Sequence, residues 1–503
     1  MMNKSVIIIG GGLGGLFTGA ILVKEGFKVT IVEKNHTLGG GLQSFVRFGE
    51  VFDTGMHVIG GMQPGGNVRR ILEYLGIFDR VKVQNVDAEC SDLLYFSKEK
   101  RYFKIKAGRE NFINALAEYF PEERQNLERY VDAMVRVSNE LDLYYMRPST
   151  RDMFDHSQEF LSSAESFIAK YISDPLLRSI VAYLAPLYGG TGDMTPAFIH
   201  SVISLLYLNG PSRFVGGSQQ FADLLGSFIE ENGGTIILND GVEKVTSEDH
   251  LISGVVTKSG KTFTADYYIS DIHPCTLLNL LEDESVLPLM YRKRLKNIPN
   301  TFSAFTLNIK LKPETIKYMN YTGYYSASSD RVWSLSDETQ PWPAGFLYMT
   351  PPDENQGEYA TKMILTVPMT WNKVKRWEDT TLGHRTPEYE AWKAECTEIL
   401  LDKMDEMFPD FRSCVENINS ASPLTIRDYY GVKEGAMCGY AKDYKNIIYS
   451  QLIVLTKVPN LLLTGQCVSL HGFCGVPLTA IKTCEGILGE NYIINKINKT
   501  VPL

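Results

Sequence analysis

Gly10, Gly12 and Gly15 fit the spacing G-x-G-x-x-G, and the acid Glu33 follows about 20 residues later. Each position in that pattern has its own chemistry. The first glycine permits a tight turn, the second lets backbone approach a pyrophosphate, and the third lets a helix pack against a strand. The helix N-terminus offers unpaired N–H groups and partial positive charge to the diphosphate. A carboxylate at Glu33 accepts hydrogen bonds from ribose hydroxyls. The chemistry predicted is the grip on a dinucleotide.

Such a grip works only if the chain supplies strand, turn, helix, strand and acid in that order. Val6–Ile9 is a β-branched and aliphatic block suited to a buried parallel strand, Leu16–Lys24 reads as a helix, and Val29–Val32 reads as a second strand ending at Glu33. A competing reading starts from the 18 uncharged residues Val6–Val23, flanked by Lys4 and Lys24. By length they could span a membrane, and the lysines could imitate a secretory signal. Six glycines between Gly10 and Gly19 argue against both, because that density weakens any helix starting there.

The 503 residues suggest about three domains' worth of core, or two larger units. With 44% hydrophobic and 22% charged residues the composition is that of a soluble globular protein. A net charge of −9 disfavours a nucleic-acid partner, which would need concentrated lysine and arginine. The eight cysteines never form C-x-x-C, so free thiols in a reducing compartment are the simpler expectation, and with no signal peptide the cytoplasm follows. Peripheral contact with a membrane surface stays open.

Further along, "LGGGLQSF" and "VFDTGMHVIGGMQPGG" are glycine-dense, and helical patterns run from about Glu110 to Tyr145 with a break at Pro121. Phe198–Gly210 is apolar and aromatic. Ser218 is the expected N-cap of a helix stopped by Gly233. Short strands are expected at Thr235–Leu238, Val242–Val245, Ile252–Thr257, Thr262–Ala265 and Tyr267–Ser270. Residues 301–370 look β-rich, Pro387–Phe408 is an amphipathic helix, and "LLLTGQCVSLHGFCGVPLTAIKTCEGIL" is a strand, a loop and a helix. Nucleotide-site features thus fall at the start, middle and end of the chain. The fold class expected is α/β: a Rossmann-type domain in three segments (1–75, 211–295, 440–503) with an α+β substrate domain inserted in two (76–210, mostly helical, and 296–439, β-rich plus a helix).

"GGGLGGLFTGAILVKEGFKVTIVEKNHTLGGGLQSF" resembles the N-terminus of the phytoene-desaturase-like flavoproteins, within the amine-oxidase-like superfamily. "FDTGMHVIGG", "LNGPSRFVGGSQQFADLL", "SASPLTIRDYYGVKEGAMCGYA" and "LLLTGQCV" resemble, in order, segments of the retinol saturase and carotenoid isomerase branch. The resemblance covers most of the chain and implies FAD. It assigns the diphosphate and ribose contacts to Gly10, Gly12, Gly15 and Glu33, with Gly14 and Lys34 beside them, and the close-approach doublet to Gly39 and Gly40. Adenine falls to the backbone of Val242, the ribityl side to Gly465 and Gln466, and the start of a helix beneath the flavin to Val476 and Pro477. Such a helix N-terminus would stabilise negative charge on the reduced ring. Two departures stand out: Gly41 follows the doublet where the family is often basic, and "SLHGFCGVP" is longer than, or shifted from, the common GxGxPG.

Other candidates are weaker. "GVVTKSGKT" has five residues between its glycines where a P-loop needs four, and it reads as a hairpin. His471-x-x-Cys474 has no second metal-binding pair, so a structural histidine beside a free cysteine is favoured. The resemblance places "FDTG" near the flavin, which makes His57 the candidate for catalysis or substrate contact against the plain reading of a histidine bonded to a loop carbonyl. Tyr188, His200 and Tyr207 are candidates for a substrate pocket, with ordinary core packing the commoner fate of such residues. The activity implied is saturation, isomerisation or desaturation of carbon–carbon double bonds in a polyisoprenoid, retinoid or carotenoid-like lipid, with an electron donor or acceptor that the sequence does not identify. The alternatives are a flavin amine oxidase and a non-catalytic prenyl-binding escort protein of the same fold.

Overall fold

The computed structural model describes residues 4–55, 57–149 and 155–502. The opening strand β1 (Ser5–Ile9) lies at the centre of a five-stranded sheet. It pairs in parallel with β2 (Lys28–Val32) on one side and β4 (Tyr267–Ser270) on the other. Outside these stand β3 (Thr235–Ile237), against β2, and β5 (Leu461–Leu463), against β4, both again parallel. A parallel strand is covered on both faces, which is why β1 reads as an unbroken apolar run. Val6 and Ile8 enter one apolar core, while Ile7 and Ile9 enter another on the opposite face.

The helix α1 (Leu13–Lys24) packs on the first face together with α2 (Gly472–Leu488), which follows β5. It begins three residues earlier than its apolar pattern suggests, because Leu13, Gly14 and Gly15 already form its first turn. Gly10 has φ of 102°, a conformation that suits glycine. A Cβ at Gly15 would collide with the Gly10 carbonyl oxygen, so this glycine permits the helix to touch the turn that precedes it.

On the other face an antiparallel three-stranded sheet spans Val242–Glu248, Leu251–Thr257 and Thr262–Phe263. The near-P-loop stretch is therefore a hairpin. A seven-stranded sheet runs, in order, through Val415–Ala421, Ser303–Leu311, Lys362–Met369, Gly345–Met349, Thr322–Ser326, Asp92–Phe96 and Arg101–Ile105. Its pairs are antiparallel except Thr322–Ser326 with Asp92–Phe96. Helices between Arg109 and Leu208, among them Arg124–Asn139 against Ala197–Leu208, form a layer beside it. Among the described residues no helix is long and apolar enough to cross a membrane. The uncharged run Val6–Val23 is divided between strand, turn and helix.

Candidate functional site

The carboxyl ends of the parallel strands open into a cleft of about 290 Å³. In open α/β sheets this is where ligands bind. Gly10, Gly12 and Gly14 border it from the first turn, and Glu33 and Lys34 from the end of β2. Gly39 and Gly40 approach from the next loop, held by the Gly39 N–H donating to the Gly11 carbonyl at 2.8 Å. Val242 closes one end, while Gly465, Gln466 and Val476 line the wall between β5 and α2. Gly15 packs behind the turn and Pro477 lies one residue beyond the lining.

Glu33 makes no protein salt bridge among the described residues. Its carboxylate accepts from the Gly11 N–H at 2.7 Å and the Asn35 N–H at 2.8 Å, which pins it to the glycine turn at the cleft wall. The N-cap residue of α1 is Gly12, which has no side chain to cap the helix; the Asp271 carboxylate meets the Gly12 and Gly15 amides, while Leu13 and Gly14 line the cleft. These features fit a dinucleotide: a glycine turn and helix start for a diphosphate and a fixed carboxylate for a ribose. Lys34 stands exposed at the cleft rim, its Nζ donating to the Asp428 carbonyl at 3.0 Å, and partial desolvation there lowers its pKa.

A second, apolar chamber of about 160 Å³ adjoins the cleft. The two share Gly55, His57, Thr366, Met437, Gln466 and Gly472. His57 Nδ1 and Thr366 Oγ1 are buried there without a hydrogen-bond partner among the described residues. Orphaned polar atoms at such a junction fit a polar ring system lying across it. His57 is carried by the hairpin Ser44–Arg47/Glu50–Asp53. Asp53 anchors that hairpin, accepting from the Ser44 hydroxyl at 2.6 Å and the Ser218 N–H at 2.7 Å. Ser218 precedes its helix as expected, but its hydroxyl donates to the Leu42 carbonyl at 2.8 Å and provides no cap. Burial lowers the pKa of His57 and Arg213 adds to this, while Asp53 opposes it.

The helix Ala197–Leu208 presents Ile199, Val202, Ile203 and Leu206 to the chamber, a run at helical spacing. Tyr207 joins them and donates its hydroxyl to the Val58 carbonyl at 3.2 Å. The pocket reading of His200 and Tyr188 is corrected by this phase. His200 lies on another face, where its Nε2 bonds Tyr130 Oη at 2.6 Å and its Nδ1 bonds Tyr188 Oη at 3.1 Å. All three are core residues, and burial holds the His200 imidazole down at about 3.

α2 begins at Gly472, not at the expected Val476–Pro477, and contains Pro477. The missing Pro477 N–H costs one bond early in the helix, and Gly472 thereby reaches the junction. The sequence also concealed Asp271. This residue ends β4 as Glu33 ends β2, which was the available signal. Its carboxylate lies against the amides of Gly12 and Gly15, and burial, reinforced by Glu33, raises its pKa to about 8. Lys442 was missed as well: its Nζ donates to the Val468 carbonyl at 2.8 Å, and burial lowers it to about 8.

A family model described as flavin containing amine oxidoreductase matches residues 13–312. The all-trans-retinol 13,14-reductase of Rattus norvegicus is 26% identical, over 96% of this chain and 86% of that protein. The 4,4'-diapolycopene oxygenase of a Methylomonas species is 22% identical, over 98% of each. A solved oxidoreductase structure from Methanosarcina mazei shares the fold at a TM-score of 0.64 with 17% identity, covering 96% of this chain and all of that one. With its glycine turn and the acid fixed against it at the strand ends, the chain belongs to the flavin containing amine oxidoreductase family.

Proposed function

We propose that the protein is an FAD-dependent oxidoreductase acting on carbon–carbon double bonds of a polyisoprenoid, retinoid or carotenoid-like lipid. One observation carries the reading: a dinucleotide cleft and an apolar chamber meet at His57, Thr366, Met437 and Gln466. The relatives that act on retinol and diapolycopene support the substrate class. When bound, the flavin supplies two-electron chemistry at carbon. The chain's own contribution is to orient an apolar molecule and exclude water from it. Aliphatic side chains of the helix Ala197–Leu208 form one wall, and Tyr324, Leu347 and Met349 of the seven-stranded sheet form another.

In this reading His57 is the proton-holding group. Its lowered pKa keeps the imidazole neutral, with one N–H to give and one nitrogen free to accept. Gly10, Gly12, Gly14, Glu33, Lys34, Gly39, Gly40, Val242, Gly465, Gln466 and Val476 hold the cofactor, and Gly15 and Pro477 shape the helices that carry them. The reading extends to a cytoplasmic protein that meets its substrate at a membrane surface. All eight cysteines are free thiols, and Leu289, Met290 and Ile453 are each more than half exposed.

The test is anaerobic. The bound flavin is reduced chemically and mixed in turn with retinol, carotenoids and unsaturated fatty acids, and the oxidised form is mixed with amines to see whether they reduce it. Reoxidation by a polyene or prenyl lipid is expected; reoxidation by none of them overturns the substrate class.

A further inference from the structure

His471 immediately precedes α2, in the loop by which this chain departs from the family's usual GxGxPG. It is only 8% exposed, and neither ring nitrogen has a hydrogen-bond partner among the described residues. A buried imidazole left in that state costs free energy that a ligand would recover. Its position says which ligand. His471 borders the apolar chamber and not the dinucleotide cleft, so the unmet bonds point to the molecule in the chamber rather than to the cofactor.

The electrostatic surroundings narrow the chemistry. α2 has no side-chain cap, so its first amides carry unmet partial positive charge at this spot. Lys442 is buried nearby, makes no ion pair among the described residues, and acts electrostatically on His471. Burial, with Lys442 adding to it, holds the imidazole neutral, its pKa near 3. A neutral imidazole offers one donor and one acceptor. A cationic amine would be repelled by this corner, and a pure hydrocarbon would leave both nitrogens unmet. An oxygen atom, with lone pairs for an N–H and for the local positive field, suits it.

We infer that His471 is a specificity-determining residue that hydrogen-bonds an oxygen carried by the isoprenoid substrate, so that the chamber selects oxygenated polyenes over hydrocarbons. The inference rests on the polyene reading proposed above. A site that bonds a substrate hydroxyl rejects the analogue lacking it, because the buried partner is left unpaired.

Binding rather than turnover tests this. The flavin-loaded protein is titrated with all-trans-retinol and with the hydrocarbon lacking its hydroxyl, following quenching of protein fluorescence. Retinol should bind about tenfold or more tightly. His471→Leu should remove that preference while leaving flavin content and spectrum unchanged, and His471→Gln should restore part of it. Equal binding of the two ligands by the unaltered protein overturns this inference and leaves the polyene reading intact, as does a preference that survives in His471→Leu. Loss of flavin in both variants would assign His471 to the cofactor instead, again against the inference. Binding of neither ligand by the unaltered protein overturns the polyene reading itself.

Discussion

Replacing Asp271 by asparagine tests how the glycine turn tolerates negative charge. The carboxylate sits against the Gly12 and Gly15 amides, with Glu33 close by, and its pKa is raised from 3.8 to about 8. The folded protein therefore binds more protons than the unfolded chain between about pH 4 and pH 8. The sign follows: Asp271 favours folding most at acid pH, and that contribution is lost as pH rises through 8. At 1.36 kcal/mol per unit the full difference would be about 6 kcal/mol. The carboxylate keeps partial solvent contact in the cleft, so about 2–4 kcal/mol is the expected size after screening. Asparagine retains an oxygen to accept from the glycine amides but cannot titrate. Denaturation of flavin-stripped protein across this range should show stability falling with pH in the unaltered chain, with a flatter profile in Asp271→Asn and a more stable variant at pH 8. The variant should also hold its flavin better above pH 8, where an ionised Asp271 would repel a diphosphate. Parallel pH profiles for the two proteins would refute the assignment of a raised pKa.

Three further outcomes are expected. Lys442→Met should raise stability near neutral pH by about 3 kcal/mol, because a lysine lowered to about 8 destabilises the fold while protonated. In the unaltered protein stability should rise between about pH 8 and pH 10.5; thermal melts that show no such rise, or none removed by the substitution, would contradict this. Gly15→Ala should purify with little or no flavin, since the added Cβ meets the Gly10 carbonyl oxygen; a normally yellow variant would show that the turn can give way. His57→Ala should keep its flavin spectrum and slow turnover about 100-fold or more, measured under saturating substrate; unchanged turnover removes His57 from the chemistry.

Local rules made the nucleotide half of the molecule readable. Gly10, Gly12, Gly15 and Glu33 announced a strand, a turn, a helix and an acid. The strands at 235–237, 242–248, 251–257, 262–263 and 267–270 stand within a few residues of their turn signals, Val242–Glu248 running furthest past its expected end. The chamber was harder to see because its walls depend on helix phase. Ile199, Val202, Ile203 and Leu206 share a face, whereas His200, one step round, bonds tyrosines in the core. Its polarity suggested a site, and its periodicity argued otherwise. Pro477 misled in a similar way. Proline favours a first turn, but the helix gains Gly472–Val476 before it by accepting one missing N–H bond. Lys442 was silent and Asp271 gave only its place at a strand end, since the character of each comes from groups that folding brings to it: the Gly12 and Gly15 amides for Asp271, and burial beside the Val468 carbonyl for Lys442.

The central claim is that a flavin in the cleft and a polyene in the chamber meet at one junction. The most direct measurement is the visible spectrum of the flavin-loaded protein as a polyene alcohol is added without oxygen. The account predicts a saturable shift of the flavin bands with the polyene and none with an amine of similar length. A colourless protein that takes up no FAD, or a flavin that ignores polyenes and is reduced by amines, would contradict it.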